Sequence, residues 1–168
     1  MTNATNGVKV SWAASGGATK YRVLRKVSGG KWARLADTTS TSYTDTKAVS
    51  GTTYYYTVAC LNEAGNAFIS AYDTTGKSVV YIAAPEVSVA YVTGGVRVSW
   101  TASAGATKYR VLRKESGGKW ARLADTTSTS YTDKKAVSGT TYYYTVGCLN
   151  EAGNAFISAY DTTDKSPK

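Results

Sequence analysis

The chain offers few starting materials for chemistry. It has no histidine, so the Ser and Thr hydroxyls lack the usual base that would activate a nucleophile. Cys60 and Cys148 have no second thiol or imidazole nearby in sequence, which leaves no recognisable ligand set for a metal. Asp37, Asp45, Glu63 and Asp73 are scattered among expected turns and strand ends, where carboxylates serve hydrogen bonding rather than paired acid–base work. Gly76-Lys77-Ser78 ends like a phosphate loop, but that loop needs a glycine at position 71, which is Ala. No catalytic, metal-binding or cofactor-binding residue is assigned.

Cations interleaved with aromatics carry the stronger signal. Lys20, Arg22, Arg25, Lys26, Lys31 and Arg34 follow one another with no intervening acid. The series recurs at Lys108, Arg110, Arg113, Lys114, Lys119 and Arg122, interrupted only by Glu115. With Tyr21 and Val23 pointing inward, Lys20, Arg22, Leu24 and Lys26 point outward. The candidate ligand-binding set is therefore Lys20, Arg22, Trp32, Arg34 and Tyr55, with Lys108, Arg110, Trp120, Arg122 and Tyr143 in the second half. Cations beside aromatic faces suit an anionic polysaccharide or wall polymer, by charge and stacking. A protein ligand is a second option. The same residues also serve as cross-strand partners that stabilise an exposed sheet face by a few tenths of a kcal/mol each. None of the nucleic-acid recognition signatures is present, so no specific nucleic-acid partner is expected.

The elements that hold these residues are repeated. Residues 5–78 align with 93–166 at a constant offset of 88, and 66 of the 74 pairs are identical. A period of that length is a domain rather than a solenoid unit. The net charge of +9 divides evenly, +5 over residues 1–82 and +4 over 83–168, so it belongs to the repeating unit and not to a tail. Fourteen Tyr, four Trp and 16 Gly against two Pro indicate strands and turns. Within one copy the apolar period is two: Val8, Val10 and Trp12 alternate with Lys9 and Ser11, and Tyr54, Tyr56, Val58 and Cys60 share an inward face. Strands are predicted at 8–12, around Tyr21–Val23, at 32–35, 42–44, 52–62 and 78–82. No segment holds a helical period, and no run of about 18 apolar residues could span a membrane as a helix. The N-terminal residues lack the basic start and apolar stretch of a signal peptide.

These motifs resemble a known family. Gly51-Thr52-Thr53-Tyr54-Tyr55-Tyr56-Thr57-Val58-Ala59-Cys60-Leu61-Asn62-Glu63-Ala64-Gly65 is similar to the sixth-strand signature of fibronectin type III domains. Val8-Lys9-Val10-Ser11-Trp12 resembles the second strand with its core Trp, and Ala18 to Val23 the third. All three recur in the second copy. The Tyr-, Thr- and Gly-rich character resembles copies strung along secreted or surface proteins of gut Firmicutes. The resemblance implies an all-β fold, two tandem immunoglobulin-like (fibronectin type III) β-sandwiches over 1–82 and 83–168. It also implies that the sixth strand lies beside the third, which brings Tyr55 near Arg22.

The ends depart from the family pattern. The first copy is expected to lack its first strand, and the second to have a truncated last strand. Such ends expose sheet edges open to strand exchange or edge-to-edge association. The expected function is a non-catalytic spacer or stalk of a secreted or cell-surface bacterial protein. The alternative is an adhesive module gripping an anionic glycan twice per chain through the basic hairpin, with gain by avidity.

Overall fold

A computed structural model describes residues 1–167 and divides them into two compact units, Met1–Tyr81 and Ile82 onward. Both are built only of β-strands and turns.

Unit 1 contains β1 (Thr2–Ala4), β2 (Gly7–Ser11), β3 (Lys20–Val27), β4 (Ala33–Thr38), β5 (Ser42–Asp45), β6 (Thr52–Leu61) and β7 (Lys77–Tyr81). They form a three-stranded sheet, β1-β2-β5, and a four-stranded sheet, β4-β3-β6-β7, with every pairing antiparallel. The alternating pattern sets which face is buried. Val8 and Val10 of β2 and Tyr21 and Val23 of β3 are at most 5% exposed, while Lys9 and Ser11 face solvent. Tyr54 and Tyr56 of β6 close the same core, and the Trp12 ring meets Tyr21 edge-on at 5.6 Å. At the entry to β2, a Cβ on Gly7 would sit 2.2 Å from the Asp45 carbonyl oxygen, so only glycine lets β2 approach β5 there.

Unit 2 repeats the plan with β8 (Val87–Val92), β9 (Gly95–Trp100), β10 (Lys108–Glu115), β11 (Ala121–Thr126), β12 (Ser130–Asp133) and β13 (Tyr142–Leu149). Its sheets are β8-β9-β12 and β11-β10-β13, three strands each among the described residues. The core gathers Val96, Val98, Trp100, Tyr109, Val111, Tyr142, Tyr144, Val146 and Cys148.

Four expectations change. Unit 1 does have a first strand: Thr2–Ala4 pairs with β2 through a two-residue turn, although it is half the length of β8. The fourth strand starts at Ala33, because Trp32 lies in the hairpin connection. The cysteines are not equivalent, since Cys148 is fully buried and Cys60 only partly. In unit 2, Ile82 enters the core and the Ala83 carbonyl lies 3.9 Å from the Cys148 Sγ. Finally, the supposedly outward row on β3 and β6 is partly enclosed: Leu24, Thr57, Ala59 and Leu61 are all buried. The segment after β6 folds back over them, bridging Leu61 to Phe68 and donating the Ile69 N–H to the Cys60 carbonyl.

Candidate functional site

The basic hairpin β3–β4 is stapled by its own sequence. Arg22 and Asp37 are direct cross-strand partners, and the guanidinium grips the carboxylate with two bonds, Nε–Oδ1 at 2.8 Å and Nη2–Oδ2 at 2.9 Å. Nη2 also donates to the Gly65 carbonyl at 3.2 Å, and the Phe68 ring lies 5.6 Å from the guanidinium carbon. Arg34 reaches the same carboxylate at 3.1 Å while staying 60% exposed. The hydrogen bond from Arg22, reinforced by its charge and that of Arg34, holds the Asp37 carboxyl below the usual carboxylate range. Unit 2 reproduces this with Arg110, Asp125, Gly153, Phe156 and Arg122.

The third arginine turns toward the core. Asp45, 1% exposed, accepts on Oδ2 from Arg25 at 2.7 Å and from the Tyr56 hydroxyl at 2.8 Å, and on Oδ1 from the Lys47 N–H at 3.1 Å. Burial first, then the bond to Asp45, pushes the Tyr56 phenol far above its ordinary pKa, so it stays neutral and donating. Asp133, Arg113 and Tyr144 repeat the arrangement at 2.8 and 3.0 Å. The Arg25 guanidinium also stands 4.7 Å from the Tyr54 ring.

A separate cluster forms at the hairpin tip. Lys26 Nζ lies 4.6 Å from the Trp32 ring centre and 5.7 Å from that of Tyr55. The Trp32 indole donates to the Thr74 carbonyl at 3.2 Å and its ring covers Gly76, where a Cβ would meet it at 2.5 Å. In unit 2 the glycine is replaced by Asp164, which pairs with Lys114 at 2.5 Å, and that lysine still faces Trp120 and Tyr143 at 5.0 and 5.4 Å. The one change converts a cation flanked by two aromatics into a neutral pair.

The ten expected residues thus fall into two groups rather than one platform. Arg22 and Arg34 meet over Asp37; Trp32 and Tyr55 flank Lys26; Lys20 stands apart, with Nζ 3.4 Å from the Glu63 carbonyl. Arg110, Arg122, Trp120, Tyr143 and Lys108 follow suit, with Lys108 Nζ 3.2 Å from the Glu151 carbonyl. Sequence reasoning gave Asp37 and Asp45 hydrogen-bonding roles but did not join them to Arg22 and Arg25, and it missed the centrality of Lys26. A hairpin folded symmetrically about Gly29 places Arg22 opposite Ala36. The bulge between Val23 and Leu24 shifts the register by one and brings Asp37 opposite instead. No three His, Cys, Asp or Glu side chains gather to hold a metal ion among the described residues.

No family model matches the chain. It is 31% identical to exoglucanase B of Cellulomonas fimi over 192 residues, covering 99% of this chain and 16% of that protein. It is 35% identical to an amylopullulanase of Thermoanaerobacterium saccharolyticum over 75 residues, covering 44% of this chain and 6% of that protein. The chain therefore spans a small part of the relatives it matches. Among solved structures it is similar to a two-domain fibronectin type III segment of chicken tenascin, with 20% identity, TM-score 0.42, and coverage of 96% of this chain and 92% of that one. The FN1–FN3 domains of chicken CNTN1 give 18% identity and TM-score 0.41, covering 99% and 64%. In each unit, the strand read as sixth lies antiparallel beside the strand read as third, and the strand read as second pairs with both the first and the fifth. The chain is a tandem of two all-β sandwich units, and their strand pairing is the one the resemblance to fibronectin type III domains implies.

Proposed function

We propose that this chain is a non-catalytic spacer within a larger secreted or surface-exposed bacterial protein that acts on polysaccharide. The observation that carries the reading is the internal pairing of the basic hairpin. Arg22 and Arg34 share Asp37, Arg25 binds Asp45, and the second unit repeats both sets. Three of the hairpin's six cations are thereby committed to holding strands together, with one net positive charge left where Arg22 and Arg34 share Asp37. The relatives support the context: segments similar to this chain form 16% of an exoglucanase and 6% of an amylopullulanase, a share suited to an accessory unit.

The test is binding of the full chain to cellulose, starch and an anionic wall polymer over a salt series. A spacer gives no saturable binding near physiological salt. Saturable binding to one of them would overturn the reading.

One observation favours an adhesive role, restricted to unit 1. Lys26 between Trp32 and Tyr55 makes no ion pair among the described residues, and the position that neutralises its counterpart Lys114 is Gly76. If this cluster binds an anionic glycan, Lys26→Ala and Trp32→Ala each abolish binding, whereas Lys114→Ala and Trp120→Ala leave it intact.

A further inference from the structure

Of the six asparagines in the chain, Asn6 is the one that precedes a glycine; the others stand before alanine or glutamate. The structure ties those others down. Asn3 donates its Nδ2 to the Val80 carbonyl at 2.9 Å, and the pairs Asn62–Asn66 and Asn150–Asn154 bond carboxamide to carboxamide at 2.7 and 2.8 Å. Asn6 instead lies exposed in the two-residue turn between β1 and β2, and its carboxamide makes no hydrogen bond among the described residues.

The glycine that follows is fixed by the fold. Gly7 has φ +151°, and a Cβ there would lie 2.2 Å from the Asp45 carbonyl oxygen. Gly95 is held in the same way, a Cβ there meeting the Asp133 carbonyl oxygen at 2.3 Å. The residue before it differs between the copies: unit 2 has Gly94 at φ +85°, whereas Asn6 does not take a positive φ. Both units thus need the second glycine, and unit 1 alone sets a carboxamide in front of it.

We propose that Asn6 is a self-modification site, where the side-chain amide is lost and the backbone is rerouted through the side chain. The Gly7 nitrogen attacks the Asn6 Cγ. As the new N–Cγ bond closes a succinimide ring, the Cγ–Nδ2 bond breaks, and Nδ2 leaves as ammonia with the Gly7 proton. Water then opens the ring at either carbonyl, giving aspartate or isoaspartate with no redox change. Glycine has no Cβ to hinder the approach. The attacking N–H belongs to the rung Ala4↔Gly7 beside the turn, so opening of that end rung gates the step.

The two products act differently on the fold. Aspartate keeps the backbone length. Isoaspartate adds a methylene between residues 6 and 7, inside a turn that closes in two residues. Gly7, pressed against the Asp45 carbonyl, cannot absorb it. The slack therefore falls on β1, on its register Thr2↔Lys9 and Asn3↔Val8, and on the bond from Asn3 to Val80. Unit 1 loosens its first strand as it ages, while β8 of unit 2 is immune.

The test ages the full chain in warm, mildly alkaline buffer and maps its tryptic peptides by mass spectrometry, with the enzyme that methylates isoaspartate as the probe for that isomer. The expected result is conversion of amide to acid in the peptide of residues 1–9, placed at Asn6 rather than Asn3 by fragmentation and methylated in its larger part. Peptides carrying Asn62, Asn66, Asn150 and Asn154 should stay intact over the same period. Asn6→Gly, the residue of the second copy, should abolish the change. Amide exchange across Thr2–Ala4 should quicken by at least about tenfold in the aged chain, and by less than about twofold in Asn6→Asp, which adds the charge without lengthening the backbone. An intact Asn6 after ageing, conversion equally fast at another asparagine, or β1 amides as protected as in the fresh chain would overturn the proposal.

Discussion

Asp45 organises the interior of unit 1, and its removal should cost more than any hydrogen bond it makes. Asp45→Ala strips the acceptor from the Tyr56 hydroxyl, the Arg25 guanidinium and the Lys47 N–H together. Tyr56 is 2% exposed, so its hydroxyl cannot turn to water, and an orphaned buried donor costs about 1–3 kcal/mol. The Arg25 side chain retains 24% exposure and recovers part of its solvation, which keeps the loss near the lower end of the about 3–5 kcal/mol typical of a broken buried pair. The expected total is about 3 kcal/mol. Tyr56→Phe removes a single bond to a charged acceptor and leaves Asp45 with two partners, for about 1.5 kcal/mol. The two losses should not add. Once Asp45 is gone the phenol is a liability, so Phe at 56 in the Asp45→Ala background should be neutral or stabilising. The assay is urea unfolding followed by tryptophan fluorescence, with Asp133→Ala as the matched change that identifies the transition of unit 2. A loss below about 1 kcal/mol for Asp45→Ala, or simple additivity in the double variant, would refute the argument that this carboxylate is held by its partners.

Two further outcomes follow from the same geometry. The carboxyls of Asp37 and Asp125 have folded pKa values below their unfolded ones, so the stability they contribute is present above about pH 4 and lost as pH falls through the folded values. Urea midpoints should therefore drop below pH 4, and the drop should be smaller in an Asp37→Asn, Asp125→Asn double variant; an unchanged acid slope would contradict the assignment. The thiols should separate kinetically: an aromatic disulfide reagent should modify the partly exposed Cys60 of the native chain, and Cys148 only at the rate of unfolding. Equal rates would mean that the cover given to Cys148 by Ile82 and Ala83 does not persist in solution.

What could be read from the sequence is what a period of two and a repeat can encode. Val8-Lys9-Val10-Ser11 fixes the inward face of β2 without reference to the rest of the chain, and the 88-residue offset carries that reading into the second unit. The pairing of the sixth strand with the third came from the family resemblance and holds in both copies, with Lys26 opposite Tyr55 and Lys114 opposite Tyr143. The electrostatics of the candidate face were not legible, because charge along a strand is local information and its neutralisation is not. One bulged residue decides whether Arg22 meets Ala36 or Asp37, and nothing in the composition of the hairpin signals it. The enclosure of Leu24, Ala59 and Leu61 was missed for a related reason: the segment after β6 has no periodicity of its own, yet it places Phe68 over Arg22 and turns the expected open platform into a covered one. The copies then act as an experiment on each other. Glycine at 76 lets Trp32 lie flat over the chain beside Lys26, and aspartate at 164 supplies Lys114 with a counter-ion, so two nearly identical sequences present different surfaces at the one place where a ligand is most easily imagined. A binding function shared by both units would have to tolerate that difference, whereas a spacer is indifferent to it, and this asymmetry weighs toward the spacer.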